Sequence, residues 1–280
     1  MTRSTPLPPL EITRVFPALS DLSAATVRLH PQRTRQGRAS SKVGGSILWP
    51  PGVDAPRCEL HALDHALAEP TYLPVIQLRR SDIPELPFPD GTDVFQVLWC
   101  GRAHDEPIFV ARCAVYWWSA AQASDSLTVT FDDLGYRPEE CSIEPERVLE
   151  FPNIVDLPRD LRSEIVAWEE RLGKEGLYEF ELSTAPGTKV GGYPNWIQEA
   201  EWPSCPIGHR MDHLLTIDDS EFDGGTYARW LPVEDQAAWE GPDEARLAVQ
   251  NPTGLSLMGS LYLFVCSLCP GRPVAQVYQR

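Results

Sequence analysis

Apolar positions in this chain fall in short runs. Tyr72-Leu-Pro-Val-Ile-Gln-Leu78, Asp93-Val-Phe-Gln-Val-Leu-Trp-Cys100, His213-Leu-Leu-Thr-Ile217 and Ser260-Leu-Tyr-Leu-Phe-Val-Cys266 are rich in branched and aromatic residues and bounded by turn formers. Runs of this length and composition predict buried strands. Residues 108–118 and 126–131 predict two more. The clearest helical pattern is 158–172, where Pro158 suits a first turn and Ile165, Trp168 and Leu172 recur at helical spacing. A second helix is expected within 17–29, and ten helix-compatible residues, ELHALDHALA, follow Cys58. Residues 218–244 carry nine acids and one base and predict a long acidic loop. The 27 prolines among 280 residues exclude a long helical bundle and favour short strands joined by turns. The fold class expected is mainly β (α+β).

The pattern also repeats. Residues 42–58, KVGGSILWPPGVDAPRC, and 189–205, KVGGYPNWIQEAEWPSC, align without a gap at an offset of 147 and match at seven of 17 positions. In each half an apolar run follows, then a second one ending on a cysteine, Cys100 or Cys266. This order predicts internally duplicated β-sheet modules with a few peripheral helices. The expected organisation is an N-terminal helix and basic segment over 1–40, a first module over 41–157, a connector helix within 158–182 and a second module over 183–280. Within the first of these, Arg33, Arg35 and Arg38, with Lys42 beyond them, predict an exposed basic stretch.

Charge narrows the function. Forty acids against 24 bases leave a formal charge of −16, ten of it in residues 151–280. That balance opposes general nucleic-acid binding, which needs a basic footprint. It suits a basic protein partner, or serves solubility alone. No run reaches the roughly 18 apolar residues of a membrane span, and no secretory leader is legible. A reducing, cytoplasmic location is therefore expected, where closely spaced cysteines are metal ligands more often than disulfides.

Two cysteine–histidine sets follow from spacing. In the second half, Cys205-Pro-Ile-Gly-His209 and Cys266-Ser-Leu-Cys269 offer Cys3His, a set that fills the tetrahedral shell of structural zinc. Gly208 and Gly271 suit the tight turns such steps need. In the first half, Cys58-Glu-Leu-His61 and Cys100-Gly-Arg-Ala-His104 offer Cys2His2, with His65 competing with His61. The alternative in both halves is cysteine serving as a small core hydrophobe, and a decayed second copy is equally consistent with the pattern. Cys113 and Cys141 are expected to stand apart. The two Lys-Val-Gly-Gly tetrads match neither phosphate-loop pattern and are read as tight turns beside a tryptophan, with Lys42 and Lys189 available to pair with a carboxylate. No nucleophile–base arrangement or metallohydrolase motif is present.

Lys-Val-Gly-Gly-x-x-x-Trp, then Cys205-Pro-x-x-x-x-Met211, then Leu261-Tyr-Leu-Phe-Val-Cys266 resembles the YwqG-like proteins, as does Leu73-Pro-Val-Ile-Gln-Leu78 followed by Ile83-Pro-Glu-Leu-Pro-Phe-Pro-Asp-Gly91. The pattern is also similar to the C-terminal part of the programmed cell death protein 2 family of ribosome-biogenesis factors. The resemblance covers roughly residues 40–100 and 185–270. It implies a duplicated β fold and a non-enzymatic, protein-binding or chaperone-like role. The client would be basic: a ribosomal protein, or a toxin if the protein acts in immunity. The family often carries Cys-Pro-x-Cys after the tryptophan; here Gly208 stands in that second cysteine's place and His209 follows it. The rival expectation is a zinc-dependent hydrolase with an open metal position.

Overall fold

The computed structural model describes residues 2–58, 72–102, 104, 111–129 and 136–280. In chain order its strands are β1 (Ala24–Arg28), β2 (Lys42–Val43), β3 (Ile47–Trp49), β4 (Leu73–Arg79), β5 (Val94–Trp99), β6 (Cys113–Trp118) and β7 (Asp125–Leu127). They continue as β8 (Cys141–Ser142), β9 (Glu146–Glu150), β10 (Lys189–Gly191), β11 (Asp212–Asp218), β12 (Ser260–Val265) and β13 (Val274–Gln279). The helices are α1 (Ile12–Val15), α2 (Arg159–Leu172), α3 (Tyr227–Trp230), α4 (Gln236–Trp239) and α5 (Asp243–Gln250). With three antiparallel sheets, the class is mainly β with added helices.

The chain forms two compact units. Unit 1 comprises Met1–His30, Pro145–Gln250 and Gly259–Arg280; unit 2 comprises Pro31–Glu144 and Asn251–Met258. Residues 1–40 therefore do not stand apart but are divided between the two units.

Unit 1 is built on a six-stranded sheet in the order β13-β12-β11-β10-β1-β9. All six residues of β12 are buried, as its central position and its Leu-Tyr-Leu-Phe-Val composition require. The helix expected within 17–29 does not form. Pro17–Leu22 make a short 3-10 segment, and Ala24–Arg28 enter the sheet between β9 and β10. Two ladders of backbone hydrogen bonds around β-branched Thr26 and Val27 outweigh helix propensity there. Helix α2 forms as expected and ends at Gly173, whose φ of 64° closes the last turn. Its buried positions are Leu161, Ile165 and Glu169, whereas Leu172 is half exposed. Glu169 takes the inward place because its carboxylate accepts from Tyr178 N at 2.6 Å.

The expected acidic loop is broken up by short helices. α3, α4 and α5 occupy much of 227–250, and Glu221 and Asp235 are buried in it. Trp230 is buried as well, with the guanidinium groups of Arg229 and Arg28 at 4.1 Å and 5.4 Å from its ring. Part of the chain's acidity is thus spent on internal contacts that the charge count alone does not reveal.

Unit 2 has a five-stranded sheet, β6-β5-β4-β2-β8, and a two-stranded one, β3-β7. Buried Gln77 and Gln96 join the two: Leu48 N donates to Gln77 Oε1 at 2.8 Å, and Gln96 Nε2 donates to Leu48 O at 2.6 Å. Satisfying these amides fixes β3 against the sheet. Arg33, Arg35 and Arg38 are exposed as expected, but Lys42 is buried. The helix-compatible stretch after Cys58 lies outside the described residues.

The sheets share one antiparallel order: β10-β11-β12-β13 in unit 1 and β2-β4-β5-β6 in unit 2. Lys189 and Val190 pair with Thr216 and Leu215; Lys42 and Val43 pair with Gln77 and Ile76. A register shift falls between His213 and Leu215 in one and between Pro74 and Ile76 in the other, two residues before the lysine's partner reappears on the same strand.

Candidate metal centre

Residues 203–211 of unit 1 close a small hairpin. Met211 N donates to Pro203 O at 3.0 Å, Cys205 N to His209 O at 2.8 Å and Gly208 N to Cys205 O at 2.8 Å. Gly208 sits at φ 92°, which a residue with a side chain rarely adopts. The turn brings His209 N to 3.3 Å from Cys205 Sγ. A second turn follows β12: Cys266 N donates to Pro273 O at 3.0 Å and Arg272 N to Cys269 O at 3.1 Å, with Gly271 at φ 82°.

These two turns converge. One ligand atom from each of Cys205, His209, Cys266 and Cys269 lies within 4.8 Å of every other. Cys205 Sγ is 3.7 Å from Cys269 Sγ, and His209 Nδ1 is 3.6 Å from Cys266 Sγ and 3.5 Å from Cys269 Sγ. A zinc ion with bonds of about 2.3 Å to sulfur and 2.0 Å to nitrogen sets tetrahedral edges of about 3.8 Å between sulfurs and about 3.5 Å between sulfur and nitrogen. The donor set and the spacing both fit a metal ion. His209 reaches the cluster although Gly208 occupies the position where a cysteine was expected from the resemblance.

The thiols are electrostatically uneven. Burial works to raise Cys205, but the N–H groups of Ile207 and His209 and the thiols of Cys269 and Cys266 together hold it below the usual thiol range. Cys269 is pushed up to about 12 by the Cys266 thiol first, then by burial and Cys205. A cation bound among these sulfurs would favour the thiolate form of each.

Cys205 and Cys266 pack in one buried cluster with Trp196, Tyr262, Phe264, Met211 and Val277. Trp196 and Trp202 both donate from Nε1 to Asp156, at 2.8 Å and 2.6 Å. Asp156 carries no motif in the sequence; only its contact with two indoles reveals it. Ile207 and Leu268, one in each turn, are 71% and 72% exposed.

The Lys-Val-Gly-Gly tetrads are carboxylate clamps. Lys189 Nζ lies 2.8 Å from Glu150 Oε2, and Ala185 N and Tyr193 N also donate to that carboxylate. Lys42 Nζ lies 3.2 Å from Glu140 Oε1. Gly44, Gly45, Gly191 and Gly192 all have φ between 65° and 69°, and a methyl on Gly45 would press on Glu140 as one on Gly192 would on Glu150. The paired glycines thus admit the carboxylate against the backbone. The repeat disclosed the lysines and glycines of these clamps but not the carboxylates, because Glu140 and Glu150 lie outside it.

In unit 2, Cys58, Cys100 and His104 come together, again with one ligand atom from each within 4.8 Å of the others. Cys58 Sγ is 3.2 Å from His104 Nε2. Burial first, and then the Cys58 thiol, push Cys100 up to about 12 against the opposing N–H of Arg102. His61, the other candidate in this half, lies outside the described residues. Cys113 and Cys141 belong to neither group, and Cys141 Sγ donates to Pro252 O at 3.4 Å. None of the seven cysteines is joined in a disulfide. Among the described residues no helix is long and apolar enough to cross a membrane. No protein-family model matches this chain, and no curated protein matches it at a significant level.

Proposed function

We propose that this chain is a zinc-stabilised, non-enzymatic cytoplasmic protein that binds another protein. The observation that carries the reading is the Cys205–His209–Cys266–Cys269 quartet, whose edges suit tetrahedral zinc. Four protein ligands leave no position for a bound water, so the metal fastens two turns to the sheet instead of activating a nucleophile. At this centre that favours a structural role over the hydrolase alternative. The turns in turn hold Ile207 and Leu268 in solvent, a fixed apolar pair suited to a partner surface. The remaining acidity steers a basic client, such as a ribosomal protein or a toxin held in check by an immunity partner.

The common strand order, the matching register shifts and the two Lys-Val-Gly-Gly clamps support reading the units as copies of one module. Membership of the YwqG-like family is our reading of the same motifs. Metal analysis of the purified full chain tests the zinc: at least one ion per chain is expected, C269S carries one fewer than wild type, and a metal-free preparation that is stably folded overturns it. Affinity purification tests the partner. One enriched basic protein is expected, released by I207D or L268D; recovery of nothing specific across growth conditions overturns the protein-binding role.

A further inference from the structure

We propose that unit 2 holds a second zinc ion on Cys58, Cys100 and His104. The two thiols are 1% and 0% exposed, and the partly buried His104 brings a ring nitrogen to 3.2 Å from one of them, so three donor atoms are grouped in one small volume. Two sulfurs and an imidazole are the soft and borderline ligands that zinc takes.

Their placement follows the chemistry of the first site. Each set draws one cysteine from the segment that follows Lys-Val-Gly-Gly and its tryptophan, Cys58 after Trp49 and Cys205 after Trp196. Each draws a second from the residue just past a fully buried strand, Cys100 after β5 and Cys266 after β12. In both, that cysteine's backbone N–H donates at 3.0 Å to a carbonyl just before the next strand, Arg112 O or Pro273 O. In both, the tryptophan packs in the same apolar cluster as the cysteines, Trp49 with Cys58 and Cys100, Trp196 with Cys205 and Cys266. Simple core filling would require cysteine at neither end of this arrangement, and it would not bring an imidazole to 3.2 Å from a buried sulfur.

The inference uses residues distinct from those of the first site, so the two stand or fall separately. The test is zinc content of the reduced, full-length protein, measured by elemental analysis and by release to a chromogenic chelator. Wild type is expected to carry two ions per chain. C100S and the milder H104Q, made because a buried serine can prevent folding, each lower the count to one; C269S lowers it to one independently, and C269S/H104Q leaves none. One ion in wild type that H104Q leaves in place and C269S removes overturns the second site alone. One ion that only H104Q removes overturns the first site and supports the second. A metal-free, folded wild type overturns both.

Discussion

Replacing Lys189 by methionine removes one charge from a pair that has no contact with water. Both side chains are fully buried, and Lys189 Nζ lies 3.1 Å and 2.8 Å from the two oxygens of Glu150. Methionine keeps the length of the lysine stem, so packing changes little and the carboxylate is left with two backbone donors but without the cation in contact with it. Breaking a buried pair in this way costs about 3–5 kcal/mol, a large share of the roughly 5–15 kcal/mol that holds a domain together. The equivalent change at Lys42 has a smaller price, about 1 kcal/mol, because its partner Glu140 is 24% exposed and water screens what remains. The K189M penalty also depends on pH. Burial already raises the Glu150 carboxyl, and loss of Lys189 raises it further. With the folded value above the unfolded one near 4.3, the penalty is absent in acid and grows as pH rises, by at most about 1.4 kcal/mol per unit. Equilibrium urea unfolding at pH 5 and pH 8 measures this, and K189M/E150Q should recover most of the loss at pH 8. Equal costs for K189M and K42M, or a K189M penalty unchanged between the two pH values, would refute the clamp as an electrostatic device.

Two further outcomes follow from the same unit. Burial pushes Glu221 up to about 6, against the charge of Arg28 and the N–H of Thr188, so its contribution is complete below about pH 4 and is lost as pH rises through 6. E221Q should flatten that portion of the stability–pH curve; an unchanged curve would contradict the assignment. Gly173 and Gly192 both have positive φ, but a methyl on Gly173 meets open space while one on Gly192 meets Glu150 and Thr26. G173A should cost about 1 kcal/mol, and G192A distinctly more, as read from thermal melts; equal shifts would show that backbone strain alone matters at Gly192.

The strands around the two sites were legible because their residues are consistent at every level: apolar runs such as Leu261–Val265 are buried on both faces, and no other element suits them. The cysteines were legible for a different reason. Metal ligands need particular atoms at short spacing, and Cys205-x3-His209 and Cys266-x2-Cys269 declare that spacing directly. Residues 17–29 and 218–244 were misread because their local pattern is weak and the outcome rests on partners far along the chain. Ala24–Arg28 become a strand only because β9 and β10 are there to receive them. Leu172 fits the helical period of α2 yet remains half exposed, since Glu169 finds a backbone donor that makes its burial cheaper.

From composition and order alone came the β-rich class, the repeated Lys-Val-Gly-Gly segments and the identity of the thiols. Tertiary structure decided which of these meet. It brought a hairpin at 203–211 to a turn at 266–273 so that four ligand atoms share one small volume, and it set Glu150 and Glu140 against lysines that no spacing rule links to them. The reason is physical. A sequence specifies the chemistry of each donor and its local turn, whereas convergence of donors from distant segments depends on strand register and on the burial that makes an unpaired charge or thiol costly.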